Sequence, residues 1–404
     1  MEKPMLFLCL FFLIIPFSLS LSENTGDQEE SVAVPVRVFK GNKFIDNLKI
    51  DDFEIYEEGI KQKIESLYLI KNSHITKKEE SIEINPTVSR TFYLLFQLTE
   101  YNPKIADAIQ YFFSEVITPN DSLELMTPMK NYSLSDQAMQ SMSMEDLGEE
   151  MTKIVRKDTQ TGSSQYKSLL RDLRRIVSSI SGSSSRSGFD FEEDSSVDSF
   201  GIEFLLPRYR ETLSQIEQLR LVKESKFLQF AQQLKYKKGQ KFVYLFYERE
   251  FRPEIQPRII QELTSMLQDQ PHVLGSLQDL MAVYSREPKI DTRKIMYAFA
   301  DAGIYFNFLF LDRKPVHYSG IQMHEQSEDI FETFSKISRA TGGDVYTAQN
   351  PYLSFKKCAD KAQRYYLLYY IPQKAQDEEN FKSIEVKIRN KDYNLLYRTG
   401  YISN

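Results

Sequence analysis

"TFYLLFQLTEYNPK", residues Thr91–Lys104, is the stretch whose reading decides the fold. Phe92, Tyr93, Leu94, Leu95 and Phe96 run on without a polar break, as in a strand buried on both faces. Polar residues and Pro103 follow, and then Ile105, Ile109, Phe112 and Val116 recur at helical spacing. A buried strand that turns through polar residues into a helix is the unit of an α/β sheet. The carboxyl end of such a strand is where these sheets hold their ligands. Gln97 stands at that end, with Thr99 and Glu100 just beyond, and no acid sits at the tip itself.

Outward from this stretch the same alternation continues. "LELMT" (Leu123–Thr127), "KFVYLFYERE" (Lys241–Glu250), "IYFNFLFLD" (Ile304–Asp312) and "DVYTA" (Asp344–Ala348) read as strands. Tyr166, Leu169, Leu170, Leu173, Ile176 and Val177 fit one helix face, and Tyr209, Leu213, Ile216, Phe227, Leu228, Ala231 and Leu234 fit a long second one ended by Gly239. Helices are expected over Pro253–Gln268 and Gly275–Tyr284, from a cap at Asp291 to Gly303, and over "SEDIFETFSKISRATGG" (Ser327–Gly343). Asn350 and Pro351 open a further helix. Ser181–Ser199 is too rich in serine and acid to bury itself and reads as a flexible loop.

At both ends of the chain the alternation of strand and helix stops. "VAVPVRVF" (Val32–Phe39) puts Val32, Val34, Val36 and Val38 on one side of a strand, and "KGNK" (Lys40–Lys43) makes a turn. "DDFEIYEEG" (Asp51–Gly59) and "KIESLYLI" (Lys63–Ile70) follow as strands; "RYYLLYYIPQ", "SIEVKIRN" and "YNLLYRTGYI" close the chain. Either terminal set is too small to be stable alone, so the two are expected to pair. The fold class expected is therefore α/β: one doubly wound, mainly parallel, Rossmann-like sheet with a small antiparallel β unit built from both chain ends. The segments are 31–70 (N-terminal β module), 71–89 (linker), 90–350 (α/β domain with a helical insertion and the loop 181–199) and 351–404 (helix and strands pairing with the first module).

The chain has 404 residues and a net charge of −6, which gives no basic face for nucleic acid. It opens with "MEKPMLFLCLFFLIIPFSLSLSENTG", a basic start, an apolar run and small residues at Ser18, Ser20 and Ser22. That pattern predicts a signal peptide over 1–22 and a secreted or periplasmic protein. The alternative is an uncleaved segment that anchors the chain to a membrane. Cleavage would leave Cys358 as the sole cysteine, with no internal disulfide. His74, His272, His317 and His324 have no zinc-ligand spacing, and no phosphate loop, dinucleotide fingerprint or nucleophile elbow is present.

The order of the segments resembles the von Willebrand factor type A family, in the form found in secreted bacterial proteins related to it. The likeness rests on "LKIDDFEIYEEGIKQKI" (Leu48–Ile64), "KGQKFVYLFYERE" (Lys238–Glu250), "ISRATGGDVY" (Ile337–Tyr346), "QRYYLLYYIP" (Gln363–Pro372) and "RTGY" (Arg398–Tyr401), and it spans nearly the whole mature chain. The resemblance implies a metal-ion-dependent adhesion site at the strand ends. Mapped by position, the first aspartate of that site falls on Gln97, its two serines on Thr99 and Tyr101, its loop threonine on Ser163, and its second aspartate on Glu248, with Arg249 where a glycine is usual. One carboxylate in place of two makes the site degenerate. No cofactor is expected, and Mg²⁺ is the one the resemblance leaves open.

The function expected is a non-enzymatic, exported protein that binds a protein partner or mediates adhesion without metal. Gln97, Thr99, Glu100, Tyr101, Ser163, Glu248 and Arg249 would form its binding face, and Arg249 would pair with an acid on the partner. The partner's identity and the oligomeric state are open, as is peripheral association with the cell envelope. The alternatives are a structural subunit of an envelope assembly, and a hydrolase, for which the sequence offers no nucleophile with a base.

Overall fold

Val32, Val34, Val36 and Val38 all turn to one side of β1 (Val32–Lys40), and all are buried. The first part of the chain continues through β2 (Lys43–Phe44), β3 (Phe53–Glu57), β4 (Ile60–Gln62), β5 (Ile64–Lys71) and β6 (His74–Glu80). The middle part is β7 (Arg90–Gln97), α1 (Lys104–Tyr111) with a π turn over Phe112–Val116, β8 (Ser122–Met126), β9 (Asn131–Ser133), α2 (Asp136–Ser141), α3 (Met144–Gly162), α4 (Ser164–Ile180), α5 (Ser199–Arg220) and α6 (Glu224–Lys235). It goes on with β10 (Gln240–Glu248), β11 (Phe251–Ile255), α7 (Pro257–Met266), α8 (Pro271–Val283), α9 (Thr292–Asp301), β12 (Ile304–Leu311), β13 (Ile321–Glu325), α10 (Glu328–Ala340), β14 (Val345–Ala348) and α11 (Pro351–Ala362). The chain ends with β15 (Arg364–Tyr370), β16 (Phe381–Ile388), β17 (Asn394–Tyr397) and β18 (Gly400–Ile402). This is a computed structural model, and it describes residues 31–182, 199–220, 223–284, 290–372, 381–390 and 392–403.

The two chain ends form two antiparallel sheets. One runs β17-β1-β15-β5-β6 with β2 added to β1, and the other runs β18-β16-β3-β4. Val36 lies opposite Tyr366 on one side and Tyr397 on the other. The four valines meet Leu67, Leu69, Tyr366, Leu368 and Tyr370 of their own sheet and Phe53, Ile55, Ile384 and Val386 of the second. Face-to-face packing removes these apolar faces from water, while the other face of β5 and β15 buries Tyr68, Ile70, Tyr365 and Leu367 in a second small core. Bulges between Leu69 and Ile70 and between Tyr369 and Tyr370 add curl to the larger sheet.

A third sheet runs β14-β12-β10-β7-β8-β9, parallel except for the β8–β9 pair. Its unbroken apolar strands feed two cores. Phe92, Leu94, Phe96, Phe242, Tyr244 and Phe246 pack with Ile105 and Ile109 of α1, Val155 of α3 and Phe355 of α11. Tyr93, Val243, Leu245, Tyr247, Phe306 and Phe308 pack with Leu234 of α6, Phe299 of α9 and Phe334 of α10. Within the first core the Phe96 and Phe246 rings stack at 4.7 Å. A separate core joins α4, α5, α7 and α8.

The expected doubly wound, mainly parallel sheet with a small β appendage is not formed. Among the described residues four of fourteen strand pairings are parallel, all in the third sheet, and the rest are antiparallel. The fold is mixed α/β, with only one partly parallel sheet. The physical reason is that the alternating strands at the chain ends each had an apolar face to bury, and they met that need by building two stacked sheets of their own. Contacts join these parts into one compact unit over Ser31–Asn404.

Several boundaries also differ. Seven of the nineteen residues of the expected 71–89 linker form β6, which pairs along β5 from Ser66 opposite Glu80 to Lys71 opposite His74. Its run of lysines and glutamates is that of a charged edge strand. The helix expected from Pro253 begins later, because Phe251–Ile255 pairs with β13. The long helix after residue 199 is two, α5 and α6. Helix α11 packs in the core of the third sheet. The signal segment 1–22 and residues 183–198 of the expected flexible loop lie outside the described residues. No helix among the described residues is long and apolar enough to cross a membrane.

Two glycines in "ATGG" are fixed by close approach. A Cβ on Gly343 would stand 1.8 Å from the Phe306 carbonyl oxygen, and one on Gly342, at φ +76°, would stand 2.8 Å from the Tyr397 backbone. Those glycines let α10 turn directly against β12 and β17.

The start of β7 is anchored by a buried pair. Arg90 Nε and Nη2 donate to Asp121 Oδ1 and Oδ2 at 2.9 and 2.5 Å, and Asp121 also accepts the Thr118 N–H and hydroxyl. Removing one partner strands a buried charge. Asp121→Ala is expected to cost about 3–5 kcal/mol in urea unfolding, and Arg90→Met with Asp121→Leu together much less. Equal losses for the single and the double variant would contradict this.

Candidate functional site

Strands β7, β10 and β12 lie side by side in parallel, so their carboxyl ends share one rim. Gln97 is opposite Tyr247, and Glu248, the last residue of β10, is opposite Leu311. Thr99 stands two residues past β7 and Arg313 two residues past β12. The parallel register thus delivers one side chain from each strand to the same point.

Glu248 is the centre of that point and is 9% exposed. Its Oε2 accepts the Thr99 N–H at 2.9 Å and the Thr99 hydroxyl at 2.5 Å. Arg313 Nη1 donates to Thr99 Oγ1 at 2.9 Å and lies 3.5 Å from Glu248 Oε2 and 3.9 Å from Glu100 Oε2. The Arg313 guanidinium rests 5.6 Å from the Phe251 ring centroid, which holds it in place. Arg249 forms a second, more open cluster. Its Nη1 donates to Glu325 Oε2 at 2.8 Å, its Nε lies 3.1 Å from Asp312 Oδ1, and its guanidinium is 5.7 Å from the Phe310 ring centroid.

The residues singled out from the sequence divide. Thr99 and Glu248 touch, Glu100 joins them through Arg313, and Arg249 stands on the same rim. Gln97 is exposed at the tip of β7. Tyr101 turns away, packing on the first core with Arg156 5.9 Å from its ring, and burial pushes its phenol up. Ser163 makes no hydrogen bond with Thr99, Glu248 or Arg313. It is buried at the α3–α4 junction with its hydroxyl donated to the Gln160 carbonyl at 3.2 Å. The helical phase of its loop, set by α3, decides that direction. Arg313 was the residue not singled out. The signal for it was "LDRK" at the end of the third buried strand, the counterpart of the tips of the first two.

The donors at this rim do not suit Mg²⁺. The ion is usually held by one or two carboxylates with waters around it. Here the one carboxylate at the centre is already engaged by two donors and has a guanidinium 3.5 Å away, a like charge to any metal. Among the described residues no group of three or more His, Cys, Asp or Glu is arranged to hold a metal. Cys358 lies at 0% exposure in the first core, and burial pushes its thiol well above the usual range. A thiol so held supplies no thiolate to a substrate.

No family model, curated protein or solved structure matches the chain.

Because Thr99, Glu248 and Arg313 act as one group, their contributions are not additive. Glu248→Ala is expected to lower stability by about 1.5–3 kcal/mol, the range for hydrogen bonds to a charged group. A double-mutant cycle with Arg313→Ala should give a coupling of about 1 kcal/mol. Additive losses would show the three to be independent.

Proposed function

We propose that the chain is an exported binding protein that holds a protein partner at the rim formed by the ends of β7, β10 and β12, by charge and shape and without catalysis. The observation that carries this reading is the contrast between the two arginine clusters. The Arg313 cluster is mostly buried and its carboxylate is satisfied, so it serves as a fixed floor. The Arg249 cluster is half open: Arg249, Asp312 and Glu325 are 27, 33 and 45% exposed in their side chains. Solvated pairs of that kind contribute roughly 0–1 kcal/mol, so a partner's charges can replace them at little cost. Glu100 adds an exposed acid on the same rim, its side chain 66% exposed.

Charges set out in this way favour fast, specific encounter more than raw affinity. The likeness of the chain-end signatures to a secreted group of adhesion-type proteins supports the same reading. A partner would approach with an acid for Arg249 and a base for Glu325 or Glu100.

The test is affinity capture from the source cells' envelope and medium, with the protein as bait. Arg249→Glu and Glu100→Lys are expected to lose the captured partner, while Lys153→Ala, on the exposed face of α3, retains it, and chelator has no effect. Unchanged capture by both rim variants, or loss on adding chelator, would refute the reading.

A further inference from the structure

The amino ends of β10 and β12 face a cavity of about 180 Å³ at the edge opposite the rim. Its walls are Ala33, Pro35 and Arg37 of β1, Lys241 of β10, Gly303–Tyr305 at the start of β12, and Arg398 after β17. The alternation of β1 explains the geometry. Its even-numbered valines fill the sandwich core, so its odd-numbered residues turn to the cavity.

Three cations meet there, and the single carboxylate near them, Asp301, offsets only part of their charge. Arg37 is 2% exposed, with its guanidinium 3.7 Å from the Tyr305 ring centroid, and its Nε and Nη2 are buried without a hydrogen-bond partner. Lys241 is 7% exposed, and its ammonium donates to the Ala302 carbonyl at 2.8 Å. Arg398 Nη2 donates to the Ala33 carbonyl at 2.7 Å, while its Nε is buried without a partner. A Cβ on Gly303 would stand 3.9 Å from Arg398 Nη1 and 4.0 Å from Lys241 Nζ, so both cations border one point. Burial, with Arg398 adding to it, holds the Lys241 ammonium down at about 8. The one carboxylate on the wall, Asp301, is taken up by Lys235 at 3.0 Å and by the Ile402 N–H at 2.9 Å.

Carbonyl oxygens orient these cations but cancel no charge. Aromatic faces attract a guanidinium but accept none of its in-plane N–H bonds. Buried charge left so is costly unless something supplies opposite charge and acceptors. A cavity of this size far exceeds the roughly 10–15 Å³ that admits one water, so a polyatomic guest fits. Water brings acceptors and no charge. A carboxylate brings one charge and two oxygens in a plane. A tetrahedral dianion brings two charges and oxygens in several directions, matching cations that arrive from three separate segments of the chain.

We infer that this cavity is a binding site for a small phosphate-class oxyanion, held by Arg37, Lys241 and Arg398. The site is independent of the partner-binding rim, and neither reading needs the other.

Isothermal titration of the purified protein with inorganic phosphate in a chloride buffer tests it, with glycerol 3-phosphate and acetate as parallel arms. Saturable one-to-one binding of phosphate or of its ester is expected, with acetate at least tenfold weaker, about 1.4 kcal/mol. Tighter binding of the ester would mark a phosphoryl group carried on a larger molecule, and tighter binding of phosphate the free ion; both support the site. Lys241→Met and Arg37→Met should each weaken binding by tenfold or more, and exposed Lys153→Ala should not. Should the buried variants fail to fold by circular dichroism, Arg398→Lys, which keeps the charge and loses the fork, carries the same expectation. Absence of saturable phosphate or ester binding would mean that water alone fills the cavity and would overturn the inference. So would acetate binding as tightly, or indifference of a folded cavity variant.

Discussion

Strand β15 lies between β1 and β5, and the rest of the structure depends on that insertion. The alternating strands at the start of the chain have one apolar face and no stable partner nearby. The strands at its end likewise lack a partner nearby in the chain. Placing β15 between two early strands corrects both, with Val36 opposite Tyr366 and Leu368 opposite Val34. A slip of one residue would turn the four valines out of the sandwich core and put Ala33, Pro35 and Arg37 in their place, so the register is firmly set. Tyr366 adds a polar lock: its hydroxyl donates to the Ile45 carbonyl and accepts the Leu48 N–H.

That closure also determines what the two edges of the parallel strands become. The carboxyl rim is built from the strands' own extensions, and its acids and arginines find one another there. The amino edge is covered by β1, which brings Arg37, and by the turn after β17, which brings Arg398. These come from distant parts of the chain. One sheet therefore has an edge whose charges are internally balanced and another whose cations outnumber the acids.

Much of this was legible in the sequence where the signal was local. Unbroken apolar runs marked β7, β10 and β12, and alternating valines marked β1. Helical stripes marked α1 and α10, and "ATGG" marked a tight stop. Thr99 and Glu248 were singled out together by the family resemblance mapped onto the strand ends. What was not legible was pairing: which sheet a strand joins depends on partners hundreds of residues away, and the antiparallel sandwich was therefore underestimated. β6 looked like a linker because a charged edge strand and a polar loop share a composition. Ser163 bonds within its own turn, a direction set by the helix phase of the preceding nineteen residues of α3 and not readable from its loop alone. Arg313 and Arg37 were passed over for the same reason: each reads as one polar residue beside a strand, and its meaning comes only from what the fold sets against it.

The most direct test of this account is native-state hydrogen exchange across the strands. If β15 closes the fold, amides of β1 and β15 should exchange only through the same global opening that exposes β10, with matching opening free energies and matching denaturant dependence. Exchange of β1 and β15 through a separate, cheaper opening, while β10 stayed protected, would show the chain-end sheets to be an appendage and would contradict it.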